Sequence, residues 1–175
     1  NNGLTRGIND GFIEESRRVF DYGCGHGEDV KFLSRRGIKT SGWDPAFRPE
    51  GSRLNADVVN LGYVINVIED PVERMETLKH AWNLAEKVLI VSAQILVPGR
   101  GSKHIEFGDG ILTSRGTFQK FFTQAELREY VETVLETDAL PAALGVFYVF
   151  RDEELKQQFV ANKYRRRSSG PRKRL

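Results

Sequence analysis

The sequence predicts an α/β fold with a Rossmann-like, mostly parallel sheet. Two observations predict this fold class: short strand-like segments alternate with segments of helical spacing, and a cluster of glycines follows the first strand-like segment. A third is the segment 87–95, which is almost continuously apolar, as is typical of a central strand covered by helices on both faces. The 175 residues are enough for one domain with its own core.

Each element follows from a local pattern. Strands are predicted at residues 18–22, 39–43, 56–61 and 87–95. Helices are predicted at residues 28–36, which end at Gly37, and at residues 71–85, which Asp70 and Pro71 open. Thr123 and Glu126 form a capping-box pattern at the start of a later helix. Two last strands, at residues 137–142 and 145–150, are close enough to pair as an antiparallel hairpin.

Two segments are less regular. Weak helical character is expected at residues 12–18. The segment 98–116 is rich in Gly and charged residues, and we expect a long loop there. Because plain connectors of about 20 residues are uncommon, the length of this loop favours a functional or mobile role.

Composition excludes several classes of protein. Cys24 is the only cysteine, so no intramolecular disulfide can form, and no Cys and His spacing fits a zinc site. We therefore expect a reducing, cytoplasmic setting and no bound metal. No apolar run of about 18 residues and no signal-peptide pattern occurs in the sequence, so no membrane association is predicted.

Charge is unevenly distributed along the chain. Eight Lys and Arg and no acid follow residue 155, whereas the residues before it carry 18 basic and 24 acidic side chains. We predict one domain over residues 1–155 and a basic C-terminal helix or tail over residues 156–175. The part from Lys163 to Leu175 is a candidate contact for nucleic acid. Because the sequence starts with Asn and ends in this basic segment, we also expect a further domain of a longer chain.

The strongest signal is a D-x-G-x-G-x-G pattern between the first strand and the first helix, formed by Asp21, Gly23, Gly25 and Gly27. Glycines let the backbone turn sharply and approach a ligand, and the start of a helix directs free N–H groups outward, so we expect loop amides to face a ligand. Asp44 follows Gly23 by 21 residues, at the end of the second strand, where an acid accepts hydrogen bonds from ribose hydroxyls. The pattern predicts a nucleotide-containing cofactor.

The spacing favours S-adenosylmethionine over a dinucleotide. Dinucleotide folds use G-x-G-x-x-G, whereas Gly25 and Gly27 are only two residues apart. The acid at the end of the first strand, Asp21, suits a ligand that carries an ammonium and a sulfonium charge. The alternative is that this carboxylate only caps the glycine loop.

Several segments resemble known methyltransferases. VFDYGCGHGEDV, GWDP and ADVVNLGYVINVIEDP are similar to motifs I, II and IV of class I methyltransferases. More narrowly, GWDPAFRPEG, NLGYVINVIEDPVER, GTFQKFFTQAEL and GVFYVFRDEEL resemble the family of DNA phosphorothioation-associated methyltransferases, found beside bacterial DNA sulfur-modification genes. The likeness runs from Arg18 to Tyr164. It implies an S-adenosylmethionine-dependent methyltransferase linked to DNA modification.

The resemblance also implies roles for individual residues. The glycine loop would hold the methionine part of the cofactor, Asp44 the ribose, and Trp43 and Pro45 the adenine. The full set of implied cofactor contacts is Asp21, Gly23, Cys24, Gly25, Gly27, Trp43, Asp44, Pro45, Asn60 and Tyr63. Only 13 residues separate Asp44 from Asp57. The third strand that is usual in this class is therefore expected to be short or missing, with residues 47–54 wrapping the adenine.

No catalytic base is evident, and methyl transfer from an activated carbon can proceed by positioning alone. Amino-group DNA methyltransferases carry Pro-Pro and an aromatic where this chain has Leu61-Gly62-Tyr63, which disfavours methylation of adenine N6 or cytosine N4. Cys24 lies inside the glycine loop and is misplaced as the nucleophile for cytosine C5 methylation. The candidate catalytic residues are Asn60, Tyr63, His104, Asp109 and Arg115. Three functions stay open: methylation of nucleic acid or a nucleic-acid-linked group, methylation of a small molecule, and a non-catalytic module that binds S-adenosylmethionine.

Overall fold

The structure is a computed structural model that describes residues 2–96 and 104–169. Its helices are α1 (Asn2–Asn9), α2 (Glu28–Arg35), α3 (Pro71–Leu84), α4 (Gln124–Leu135) and α5 (Glu153–Ser168). Its strands are β1 (Val19–Tyr22), β2 (Thr40–Trp43), β3 (Ala56–Gly62), β4 (Ala85–Ser92), β5 (Ile105–Phe107), β6 (Gly110–Leu112), β7 (Phe118–Gln119), β8 (Leu140–Ala143) and β9 (Val146–Phe150).

Six strands form the main sheet, in the order β2-β1-β3-β4-β9-β8. β1 is parallel to β2 and β3, and β3 is parallel to β4, whereas β9 runs antiparallel to β4 and β8. The predicted fold class is confirmed, including the C-terminal hairpin. β2 lies at one edge of the sheet, and residues 44–55 form no strand beyond a single bridge of Asp44 with Arg48. The strand that was expected to be short or missing is therefore absent from this segment.

The central strands supply two hydrophobic cores, one on each face of the sheet. In β4, Leu89 and Val91 contribute to the core under α3 and α4, whereas Val88 and Ile90 contribute to the core under α1 and α5. Successive side chains of a strand point to opposite faces, so a strand buried on both sides must be apolar throughout. This explains the uninterrupted apolar run of the central strand.

The first helix lies earlier in the chain than expected. Residues 12–18 form turns, and the helix is α1, which is followed by Gly11 in the left-handed conformation with φ of 82°. The prediction of weak helical character at residues 12–18 was wrong, and Phe12 at the start of this segment is instead buried in the core. Its ring packs edge-on against the rings of Tyr148 and Phe150, with distances of 4.9 and 5.4 Å between ring centres.

The expected long loop holds secondary structure of its own. β5 and β6 lie within residues 98–116 and pair with β7 in a separate three-stranded antiparallel sheet. The prediction of a long loop is therefore corrected for residues 104–116, which contain β5 and β6. Residues 97–103 lie outside the described residues.

The basic C-terminal segment begins as a packed helix. Asp152 caps α5 by accepting a hydrogen bond from the Leu155 amide, and Leu155 and Phe159 are buried in the core beside α1. The predicted boundary after residue 155 therefore falls inside this helix. Across the described ranges, none of the helices is long and apolar enough to cross a membrane.

Candidate functional site

A cleft of about 380 Å³ opens at the carboxyl ends of β1, β2 and β3. Ligands commonly bind at this edge of a parallel sheet, and the volume of the cleft lies in the range of small-molecule sites. Residues that were predicted to contact a cofactor and that line the cleft are Gly23, Trp43, Asp44, Pro45 and Tyr63. Arg53, from the segment 47–54 that was expected to wrap the adenine, also lines the cleft. The lining residues that the sequence did not indicate are Tyr22, Gly62, Val64, Val67, Ile68, Glu73, Glu76, Thr77 and His80.

The glycine loop is held against the end of β2. The amides of Gly23 and Cys24 both donate to the Trp43 carbonyl, at 2.8 and 3.0 Å. Gly23 has φ of 78°, and a Cβ there would lie 2.5 Å from a methyl of Val64. Gly27 also has positive φ, and a Cβ there would lie 2.5 Å from the Arg48 guanidinium. Both positions therefore favour glycine for conformation, and Gly23 also for space, whereas the flexible Arg48 side chain can move away from a Cβ at position 27.

The expectation that the loop amides face a ligand is corrected at four positions. The amides of Gly23 and Cys24 bind Trp43, that of Gly25 binds the Asp44 carboxylate at 2.8 Å, and that of Gly27 binds the Cys24 carbonyl at 2.9 Å. Gly25 differs from its neighbours in one respect: nothing lies within 4 Å of a Cβ built on it. The loop is therefore closed by internal hydrogen bonds, with open space only at Gly25.

Asp44 joins the glycine loop to the segment after β2. Its Oδ2 accepts from Gly25, and its Oδ1 accepts from the amides of Ala46 and Phe47 at 2.8 and 3.0 Å. Partial desolvation raises the pKa of Asp44, but the three backbone donors outweigh it and hold the pKa below its usual value. A charged carboxylate has about four acceptor positions, so Asp44 keeps capacity for a further donor in the cleft.

Asp21 lies in a different environment. It is 3% exposed and accepts a hydrogen bond of 2.9 Å from the Asn60 amide group. Burial raises the pKa of Asp21 to about 6, although the Asn60 hydrogen bond opposes this rise. Asp21 and Asn60 do not line the cleft beside Asp44. They lie opposite each other on the neighbouring strands β1 and β3.

Helix α1 covers Asn60 and the neighbouring Ser92. A Cβ built on Gly3 would lie 2.6 Å from Ser92 Oγ and 3.1 Å from Asn60 Oδ1. Both oxygens are fully buried and have no hydrogen-bond partner within the described part of the chain. Asn2, at the start of α1, donates to the Tyr63 hydroxyl at 3.1 Å. Tyr63 has φ of 60°, a strained value for this residue type, and its ring is held between the cleft and α1.

Of the five candidate catalytic residues, only Tyr63 lines the cleft. Asp109 accepts two hydrogen bonds from the Arg74 guanidinium, at 2.6 and 3.1 Å, and holds the β5–β6 hairpin to α3. Arg115 lies in the exposed turn between Thr113 and Thr117, and His104 is exposed, with its ring 6.4 Å from that of Phe121. His104 and Arg115 therefore do not line the cleft, and Asn60 lies buried under α1. Asp109 lines an adjoining pocket that shares Val67, Ile68 and Glu73 with the cleft.

Part of the missed lining carried a signal in the sequence. Glu73, Thr77 and His80 are spaced by four and three residues on α3, and this polar stripe faces the cleft. Arg53 was indicated only by its place in the segment 47–54, which was expected to wrap the adenine. It stacks on the Trp43 ring, with its guanidinium carbon 4.7 Å from the ring centre, from a segment without regular structure.

Comparisons with known proteins support the fold. No protein-family model matches the sequence, and no curated protein matches it. Among solved structures, the 1,6-didemethyltoxoflavin-N1-methyltransferase of Burkholderia thailandensis, with bound S-adenosylhomocysteine, is 14% identical with a TM-score of 0.57 over 86% of this chain and 76% of its own.

Two further solved structures agree. A sugar N-methyltransferase from Streptoalloteichus is 14% identical with a TM-score of 0.57, over 86% of this chain and 85% of its own. The magnesium protoporphyrin IX methyltransferase of Synechocystis, with bound S-adenosylhomocysteine, is 13% identical with a TM-score of 0.53, over 86% of this chain and 84% of its own. The chain therefore has the Rossmann-like fold of class I methyltransferases, and at these identities the likeness concerns the fold alone.

Proposed function

We propose that this chain is an S-adenosylmethionine-dependent methyltransferase whose cofactor binds in the cleft beside Asp44. The observation that carries the proposal is the position of that cleft. It lies at the carboxyl ends of three parallel strands, directly beside a glycine loop that the Asp44 carboxylate holds through the Gly25 amide. Ligands of open α/β sheets bind at this edge.

The residues present fit the adenosyl part of this cofactor. Trp43, Pro45 and Val64 give the cleft an apolar wall for a flat base, and the remaining acceptor position of Asp44 suits a ribose hydroxyl. The open space at Gly25 leaves room for a ligand to approach the loop.

The amino-acid part of the cofactor suits the polar groups beneath α1. Asn60 Oδ1 is a buried acceptor that lacks a donor, and the Asp21 carboxylate is its neighbour. An ammonium group would supply the donor that Asn60 Oδ1 lacks, and its charge would favour the ionised form of Asp21 beside it. When bound, the cofactor supplies a methyl group activated by its sulfonium. The role of the chain is then to orient an acceptor and exclude water, and Tyr63 stands at the point where the cleft meets α1.

For the acceptor, the favoured candidate is nucleic acid or a group linked to DNA modification. The resemblance to DNA phosphorothioation-associated methyltransferases and the eight basic residues after residue 155 support it. A small-molecule acceptor is the second candidate, because the solved structures of similar fold include enzymes named for a sugar, a porphyrin and a toxoflavin precursor. A module that binds the cofactor without catalysis is the third.

Calorimetric titration tests the cofactor. We expect binding of S-adenosylmethionine and S-adenosylhomocysteine and none of NAD; a preference for NAD would contradict the proposal. Asp44→Ala should weaken binding by about 1.5–3 kcal/mol, because charge-assisted hydrogen bonds to the ribose are lost. Unchanged affinity in this variant would show that another residue holds the ribose.

Gly25→Ala gives a sharper test of the site. Gly25 does not itself line the cleft, but its amide donates to the Asp44 carboxylate, which does. An alanine here meets no atom of the protein, so a cofactor that extends from the cleft over the glycine loop should lose at least tenfold in affinity, which corresponds to about 1.4 kcal/mol. Gly116→Ala is the matched control, since Gly116 also has positive φ and open surroundings but lies in the turn after Thr113 and has no contact with Asp44 or the glycine loop. Equal affinity in the two variants would place the cofactor elsewhere.

Transfer of a labelled methyl group identifies the acceptor. Label in DNA supports the favoured candidate, whereas label only in amino sugars or other small amines supports the second. Cofactor binding without transfer to either class, together with no slow release of S-adenosylhomocysteine, supports the non-catalytic module.

A further inference from the structure

A second cleft, of about 430 Å³, lies between α1 and α5, away from the site described above. Four cationic side chains of the described residues line it: Arg6 from α1, and Lys163, Arg166 and Arg167 from the last turns of α5. Asp10 is the one acid that lines it among the described residues. No residue of this basic cleft also lines the cleft beside Asp44.

Asp10 cannot neutralise the four cations. Its side chain is only 4% exposed and already accepts a hydrogen bond of 2.7 Å from the Tyr148 hydroxyl. Arg166 reaches its other oxygen at 3.3 Å, whereas Arg6 Nε stays 3.8 Å away. The basic cleft therefore keeps an excess of about three positive charges at a site that is partly withdrawn from solvent.

The donors of this cleft are not all used. Arg6 Nε is buried and has no hydrogen-bond partner among the described residues. Desolvation and the charges of Arg167 and Arg128 lower the pKa of Lys163, against the opposing effect of Asp10. Neighbouring cations therefore add to the effect of desolvation on Lys163, and an anion in the cleft would offset both.

The geometry points to a phosphate group as the ligand of the basic cleft. Guanidinium groups present parallel N–H donors that match phosphate oxygens, and a dianion with three terminal oxygens can meet donors from both helices at once. The body of the protein before residue 156 carries more acids than bases, so this cleft is also where a polyanion can approach without repulsion. The phosphate can belong to a nucleic-acid backbone or to a small phosphorylated molecule.

The test uses the full chain with two probes, inorganic pyrophosphate in calorimetry and a fluorescein-labelled single-stranded DNA in anisotropy measurements at several salt concentrations. The variant is Arg166→Gln combined with Arg167→Gln. Its match is Arg165→Gln combined with Arg35→Gln, which removes the same charge from exposed positions outside the cleft. Circular dichroism establishes that both variants are folded.

We expect wild-type protein to bind at least one probe and the cleft variant to bind it roughly tenfold or more weakly, with the matched variant close to wild type. If DNA is the ligand, the cleft variant should also reduce the slope of log K against log salt by about 1.4, because each contact with a phosphate of single-stranded DNA contributes about 0.7. Binding of DNA alone assigns the phosphate to a nucleic-acid backbone, and binding of pyrophosphate alone assigns it to a small molecule. Binding of neither probe, or equal weakening by the two variants, would overturn the proposal.

Discussion

Two acidic residues that were predicted to contact the cofactor, Asp21 and Asp44, have pKa values that their surroundings shift in opposite directions. Asp44 receives three backbone hydrogen bonds, and its pKa lies below the usual value, whereas burial raises the pKa of Asp21 to about 6. Both were predicted as cofactor contacts from their spacing alone. The sequence cannot distinguish them further, because the pKa depends on burial and on donors from distant parts of the chain.

The raised pKa of Asp21 predicts a specific pH dependence of stability. Between the unfolded value of 3.8 and the folded value of about 6, the folded state binds more protons than the unfolded state, so this carboxyl stabilises the fold at low pH and loses that effect as the pH rises through 6. Asp21→Asn keeps an acceptor for Asn60 but removes the titration. The variant should therefore gain about 2–3 kcal/mol relative to wild type between pH 4 and pH 7.5.

Urea unfolding at several pH values measures this difference. Asp138→Asn is the control, because Asp138 is 74% exposed and its removal should leave the pH dependence of wild type nearly unchanged. Curves for Asp21→Asn and wild type that stay parallel across this pH range would show that the pKa of Asp21 is not raised in the folded state.

At the scale of elements, Arg74 fixes the small β5–β6–β7 sheet to α3. Its guanidinium is 2% exposed, binds both oxygens of Asp109, and donates to the Ile68 carbonyl at 3.1 and 2.7 Å. Lys120 adds a second contact, to the Asp109 carbonyl. Asp109 thus has a structural role, and the hairpin is anchored beside the segment that leads into α3.

Arg74→Met should destabilise the protein by roughly 3 kcal/mol, because the Ile68 carbonyl loses the Arg74 donors and the Asp109 carboxylate keeps only its longer contact of 3.6 Å with Lys120. Arg128→Met is the matched control: Arg128 forms an exposed pair with Glu132 on α4, and its loss should cost less than about 1 kcal/mol. Thermal or urea unfolding measures both. Equal costs would mean that the hairpin is held by other contacts.

The long elements could be predicted from the sequence, and the short ones could not. The capping box of Thr123 and Glu126 is formed as predicted, and the apolar run of β4 lies at the centre of the sheet. β5, β6 and β7 are only two or three residues long, too short for a periodic pattern, and Arg74 and Asp109 that hold them are 35 residues apart. Such elements exist through tertiary contacts that local patterns do not encode.

Helix α1 covers the sheet where the cleft beside Asp44 meets the buried pair of Asp21 and Asn60. It lies on β4, β3 and β9, and its first turn covers Asn60 and Ser92. Each buried polar atom that lacks a partner costs about 1–3 kcal/mol, so the closed arrangement carries a penalty that a donor from a ligand would remove. The sequence placed Asn60 near the cofactor but gave no sign that a helix at the start of the chain would cover it.

Gly3→Ala tests this packing through the sign of its effect on stability. Helix propensity alone favours alanine by about 1 kcal/mol. However, its Cβ would lie 2.6 Å from Ser92 Oγ, 2.9 Å from a methyl of Ile90 and 3.1 Å from Asn60 Oδ1, all fully buried atoms. Overpacking of this kind costs about 1–3 kcal/mol, so we expect net destabilisation and faster amide exchange in α1, whereas the exposed Thr5→Ala should be near neutral. A more stable Gly3→Ala variant would show that α1 does not rest on β3 and β4 as the structure has it.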